Sequence, residues 1–142
     1  MPLLVLQQFL LLVGLFSQEQ LLLELQHQLQ ITELEIRILL GFKSYALMKV
    51  RLSTAGWLRL YTDSTSRAND ATRSVGIDPT PGSGVIAEVV TTGISTTQII
   101  SPFVMGGNLN NPADTTIYAA ITNLSGVTSS ISVNLTLLQL EA

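Results

Sequence analysis

The chain has 142 residues, a net charge of −3 and only 12% charged residues, a size that accommodates one domain plus an appendage. Lys and Arg are scattered rather than clustered, which argues against nucleic acid as a partner. Cys is absent, and this removes disulfides, a thiolate nucleophile and Cys-ligated zinc.

From the start of the chain, Leu3 to Phe16 is apolar but interrupted by Gln7 and Gln8, and it is shorter than the roughly 18 to 20 residues a spanning helix needs. No membrane partner is expected. No positive region precedes this run and no small-residue cleavage site follows it, so no targeting segment is expected either.

Residues 1–40 contain 15 Leu and 7 Gln but only 2 Ser plus Thr, whereas residues 41–142 contain 26 Ser plus Thr and only 2 Gln. Unbranched Leu, Gln and Glu favour helix, while Thr and Val suit a pleated surface. The break divides the chain into a Leu/Gln-rich segment, residues 1–32, and a β-sandwich module, residues 33–142. In the first, "SQEQ" from Ser17 to Gln20 fits a capping box and predicts an apolar helix running to about residue 30. Leu15, Leu22, Leu29 and Ile36 recur at heptad spacing with Leu25 on the alternate row, a candidate oligomerisation seam. The same text is also what a Thr/Ala-rich coding stretch yields when read one nucleotide out of frame. "ELEIRILL", Glu33 to Leu40, alternates strictly and predicts a strand.

The rest reads as successive strands. "SYALMKVRLST" (44–54) sets Tyr45, Leu47, Lys49 and Arg51 against Ala46, Met48, Val50 and Leu52, the second row being the better core candidate. "GWLRLYTD" (56–63) sets Trp57, Arg59 and Tyr61 opposite Leu58 and Leu60. "GVIAEVVTT" (84–92) and "STTQIISPF" (95–103) read as a pair turning at Gly93. "TIYAAITN" (116–123) and "TSSISVNLTLLQLEA" (128–142) follow, joined through "NLSGV". With so many short strands and no helix among them, the expected fold is mainly β, an antiparallel β-sandwich or jelly-roll-like domain preceded by the apolar helical segment.

Catalytic arrangements are poorly supported. His27 is the single His; it is flanked by Gln26 and Gln28 and reads as solvated, without a nucleophile to serve or companions to bind metal. The carboxylates Asp63, Asp70, Asp78, Glu88 and Asp114 could converge, but three of them lie in turn text where Asp serves local hydrogen bonding. "DSTSRAND" misses the calcium-loop pattern, having Ala68 where Gly is required. "PGSGV" at Pro81 opens a strand rather than a helix and is turn punctuation. The expectation is no enzyme activity, no cofactor and no bound metal.

Two features point to contacts instead. The long stretch after Tyr61 carries Asp63, Arg67, Asp70 and Arg73 in alternating sign, ending in Pro79 and Pro81. It reads either as a connection fixed by ion pairs and Asx turns or as a contact loop for a neighbouring subunit. The stripe Trp57, Arg59 and Tyr61 has a composition found at protein interfaces and on sugar-stacking surfaces, and also in plain cores. These seven residues are the candidate interface.

The runs "GFKSYALMKVRLSTAGWLRLYTDSTSRANDATR", "GSGVIAEVVTTG" and "ITNLSGVTSSISVNLTLLQLEA" resemble a group of small virion structural proteins of tailed bacteriophages, cyanophages in particular, over about residues 41–142. The resemblance rests on Tyr61 to Ser64 with Arg67, on Gly84 to Glu88, and on Leu135 to Glu141. It implies a β-sandwich module of the virion exterior in a tail, baseplate, fibre or head, or a capsid decoration protein, with no enzyme activity. The implied partners are other virion proteins and further copies of the chain, with host surface glycan as another candidate.

Overall fold

A strand with one apolar face must bury it against another layer. The computed structural model, which describes residues 22–29, 33–37 and 42–141, contains two such layers. In chain order the elements are β1 (Leu22–Leu29), β2 (Glu33–Arg37), β3 (Ser44–Leu52), β4 (Gly56–Tyr61), a short helix α1 (Ser64–Asn69), β5 (Val85–Thr91), β6 (Thr97–Gly107), β7 (Thr116–Asn123) and β8 (Ile131–Glu141). The first sheet has the order β1-β8-β3-β6 and the second β2-β7-β4-β5, with every neighbouring pair antiparallel. Among these strands only β4 and β5 are joined within one sheet; every other connection passes to the opposite sheet.

The chain is therefore mainly β, as expected, and its strands fall close to the alternating segments. The apolar rows of both sheets merge into one cluster. Val50 and Leu52 of β3 and Leu135 and Leu137 of β8 pack with Leu58 and Leu60 of β4 and Ile117 and Ile121 of β7, all 2% exposed or less. Burying a side chain of this size stabilises by about 1.5–3 kcal/mol, so this shared layer is what holds the two sheets together.

Four expectations are corrected. The helix is not formed over Leu22–Leu29, which is strand β1, running antiparallel to β8 from Leu22 opposite Leu138 to Leu29 opposite Ile131. Ladder hydrogen bonds to β8 outweigh the weak helix preference of Leu and Gln. The heptad seam fails with the helix, because a seven-residue repeat forms a stripe only on a helix. Leu22, Leu25 and Leu29 are positions along β1 in the first sheet, and Ile36 lies on β2 in the second, opposite Ile117. Leu15 and the capping box at Ser17 to Gln20 lie outside the described residues, as do the last three positions of the strand expected from Glu33 to Leu40.

The pair expected to turn at Gly93 does not pair. β5 and β6 are consecutive but belong to opposite sheets, and the turn carries the chain from one layer to the other. The row chosen as core in β3 is half right: Val50 and Leu52 face the core, but so do Tyr45 and Leu47 of the other row. The register against β8 shifts between Leu47 and Lys49, so Met48 is an extra residue. A bulge of this kind reverses which row points inward.

Candidate functional site

The alternation that sends Leu58 and Leu60 into the core sends Trp57, Arg59 and Tyr61 to the outer face of the second sheet. There they are 3%, 3% and 1% exposed, because the β4–β5 connection folds back over them. Asp63 begins that connection in extended conformation and caps α1, its carboxylate accepting from the backbone N–H of Ser66 at 2.7 Å and from the Ser66 hydroxyl at 3.0 Å. The helix packs against β4 and β7, with the Arg67 guanidinium 5.8 Å from the Tyr118 ring centre. Asp70 follows as its C-cap.

Asp70 is the centre of the cluster. Its carboxylate accepts from Arg73 Nε at 2.7 Å and Nη2 at 3.0 Å, and from the Tyr61 hydroxyl at 2.7 Å. Arg59 Nη1 lies 3.8 Å from Asp70 Oδ2 and donates to the Asp70 backbone oxygen at 3.3 Å, while its Nη2 donates to Thr122 Oγ1 at 3.2 Å. Arg73 Nη1 reaches on to Glu88 Oε2 at 2.9 Å and to the Ile77 backbone oxygen at 2.6 Å. Glu88 also accepts from Trp57 Nε1 at 3.2 Å. The guanidiniums of Arg59 and Arg73 stand 4.1 and 4.9 Å from the centre of the Trp57 ring. Such contacts are favourable between a cation and a π face and grow stronger when water is excluded.

Two guanidiniums thus face two carboxylates around one indole, and the electrostatics follow from the contacts. The Arg73 fork holds the Asp70 carboxyl below its ordinary range, helped by Tyr61 and opposed by burial. Burial pushes the Tyr61 hydroxyl up, and its bond to Asp70 pushes it further. Arg73 is raised in turn, chiefly by Asp70. The backbone N–H of Ser66 lowers Asp63. Of the carboxylates that could have converged, Asp70 and Glu88 share Arg73 between them, while Asp63 and Asp114 are held at other places. Asp63 caps the helix, Arg73 bridges Asp70 and Glu88, and Asp114 belongs to the next loop.

That next loop, after β6, is built on Asn108, whose side-chain amide donates to the Asp114 backbone and carboxylate oxygens, both at 2.8 Å, and to the Thr116 backbone oxygen at 2.9 Å. Asn110 and the Tyr118 hydroxyl hydrogen-bond each other beside it. The Thr116 N–H and the two Asn side chains bring the Asp114 carboxyl down to about 2. The Leu109 N–H donates to the Thr62 backbone oxygen at 2.9 Å, tying the two loops together. Between them lies a cleft of about 540 Å³ lined by Thr62, Asp63, Ser66, Thr80, Ser83 and Leu109, among others.

Of the seven sequence candidates, Trp57, Arg59, Tyr61, Asp70 and Arg73 meet in one network, and Asp63 and Arg67 sit on the helix that covers it. Within the connection, Arg73 pairs with Asp70 and with Glu88 of β5. Glu88, considered only among the acids that could converge, and Thr122, not singled out, complete the network; the registers Arg59 opposite Glu88 and Trp57 opposite Thr122 bring them in. Compared with family models, curated proteins and solved structures, the chain matched none.

Proposed function

We propose that the chain is a non-enzymatic structural protein of a bacteriophage virion, a module of the particle exterior that acts through contacts between subunits. The observation that carries this reading is the strand order. Sheets ordered 1-8-3-6 and 2-7-4-5, with the chain crossing between them at nearly every connection, have the arrangement of an eight-stranded jelly roll, the architecture of viral capsid domains among others. Fold alone does not assign a role; the resemblance of residues 41–142 to small virion proteins supplies the class.

The loop-capped face supports the same reading. A jelly roll used as a building block needs rigid surfaces between its layers and its neighbours. Here the longest connection is fixed to the second sheet by Asp70, Arg73 and Glu88 rather than left open. A glycan platform is less well supported, since stacking a sugar needs an open aromatic face and Trp57 is 3% exposed beneath two guanidiniums.

The test is localisation. Mass spectrometry of purified particles of the encoding phage should detect the chain in repeated copies per particle, and antibody labelling in the electron microscope should place it on the tail, baseplate, fibre or head. Its absence from intact particles would remove the proposal.

A further inference from the structure

We infer that the cleft between the β4–β5 connection and the loop after β6 binds a primary alkylammonium group, the head of a lysine side chain or of a small diamine. Backbone bonds hold its walls in place. The Thr62 N–H donates to the Gly84 oxygen and the Leu109 N–H to the Thr62 oxygen, both at 2.9 Å. At about 540 Å³ the cleft falls within the roughly 300–1,000 Å³ of small-molecule sites. Gly82 lines it and leaves it open, since a Cβ added there would meet nothing within 4 Å.

The lining selects the charge and the shape of the ligand. Among the described residues, Asp63 is the only charged residue lining the cleft. Its Oδ2 accepts from the Thr62 and Ser66 hydroxyls, both at 3.0 Å. A hydroxyl has one hydrogen and two acceptor lone pairs, so with those hydrogens committed to the carboxylate, Thr62 and Ser66 have only lone pairs left to offer. On this wall a ligand meets acceptors, which favours a cation that donates hydrogen bonds and disfavours an anion. The Ser66 N–H and the two hydroxyls hold the Asp63 carboxyl below its ordinary range, so its charge persists at neutral pH. Pro81, Val85 and Leu109 supply apolar lining. An alkyl chain gains by covering such surface. A calcium ion gains nothing from it and needs six to eight oxygens where one carboxylate stands. A protonated amine on a short alkyl stem satisfies both parts of the cleft, its N–H groups making charge-assisted bonds to the Asp63 side. The cleft has this chemistry whether or not the chain belongs to a virion.

The test is a titration of the full-length, nitrogen-15-labelled chain with n-butylammonium chloride at constant ionic strength, followed by amide chemical shifts. A single ammonium in a partly open site binds weakly, with a Kd on the order of 1 mM. The shifts should saturate accordingly and be confined to residues 62–66, 82–85 and Leu109, which line or flank the cleft. Tetramethylammonium, with the same charge and no N–H, should bind about tenfold more weakly. Asp63→Asn removes the charge while leaving a residue that caps a helix as well as Asp does, so circular dichroism should be retained and affinity for butylammonium should fall about tenfold or more. Thr80→Lys, at the exposed rim, places a tethered ammonium beside the cleft and should abolish the titration without touching α1. A blocked Gly-Lys-Gly peptide and 1,4-diaminobutane separate the two sources. Tighter binding of the peptide assigns the cleft to a lysine of a neighbouring protein, and tighter binding of the diamine assigns it to a free amine. Shifts that fail to saturate or that spread over the surface, equal binding of tetramethylammonium, undiminished binding by both variants, or the same shifts from calcium chloride at lower concentration would each overturn the proposal.

Discussion

The Asp70 carboxylate is gripped by Arg73 through two parallel bonds, 2.7 Å from Nε and 3.0 Å from Nη2. The two residues are three apart in a connection that otherwise has only one turn of helix, yet both side chains are less than 10% exposed. Local closeness makes the fork; burial makes it matter, because the same carboxylate is the acid beside Arg59 and the acceptor for Tyr61. One residue therefore joins the helix end, the loop and the outer face of β4.

Replacing Asp70 with Asn removes the charge while keeping the shape. Arg59 is 3% exposed and its Nε already lacks a hydrogen-bond partner, so losing the carboxylate strands a buried cation. Breaking a buried pair from one side costs about 3–5 kcal/mol. Arg73 keeps Glu88 as a partner, which places the expected loss for Asp70→Asn near the lower end, about 3 kcal/mol, read from urea denaturation at pH 7. A loss below about 1 kcal/mol would show that the network does not fasten the loop.

The same carboxylate gives stability a defined pH dependence. Asp70 has a folded pKa below its unfolded value, so the folded state binds this proton less readily. Its contribution is present in full above the unfolded value of about 3.9 and is lost as pH falls through the lower folded value. The stability gap between the unmodified chain and Asp70→Asn should hold steady from pH 8 to 5 and narrow below about pH 4. Denaturation series at these pH values measure it, and a gap that narrows instead toward alkaline pH would contradict the assignment.

How far the sequence foretold these contacts follows from their range. Strands from Ser44 onward were legible because apolar and polar residues alternate within a few positions, a local signal. Their partners were not. Gly93 looks like a hairpin turn whether the next strand pairs with β5 or crosses to the other sheet, and only the shared core decides between them. Met48 hid a bulge, since it is apolar like the rest of its row and the alternation runs on past it without a break. Leu22 to Leu29 read as helix because Leu and Gln prefer it in isolation, and β8 was the missing term. At the site, Asp63, Asp70 and Arg73 announced themselves by alternating charge in a turn-rich stretch. Glu88 did not, because it reaches Trp57 across 31 residues through the β4–β5 register. The helix α1 is a single Ser/Thr-rich turn with no apolar period and no buried residue, which leaves only Asp63 to signal it.

Gly84 closes the connection where it returns to β5, and its surroundings predict a sharp contrast with Gly82. Both have positive φ, 81° and 77°, which costs another residue roughly 1–2 kcal/mol. At Gly82 an added methyl meets open space, whereas at Gly84 it would overlap the Ser66 hydroxyl and come within 2.7 Å of Thr62 Oγ1. Overpacking adds about 1–3 kcal/mol. Gly82→Ala should therefore cost about 1 kcal/mol and Gly84→Ala at least twice as much by thermal or urea denaturation; equal losses would mean α1 does not press on the loop's end.

Trp57 is the chain's single Trp and reports directly on whether the loop is seated. Its ring is covered by Arg59 and Arg73 and its N–H is bound to Glu88, so emission should be that of a buried indole, shielded from acrylamide. Arg73→Gln removes one cover, the pair within the loop to Asp70 and the bridge from the loop to Glu88 of β5, while the core between the sheets is untouched. Local opening of a segment held by few contacts need not unfold the domain. The expected outcome is red-shifted emission and severalfold greater acrylamide quenching, with the far-ultraviolet circular dichroism of the sheets retained. Proteolytic cutting between α1 and β5 should rise in parallel. Unchanged quenching would mean that the loop stays seated without Arg73, and that the cover over Trp57 comes from α1 and Arg59 instead.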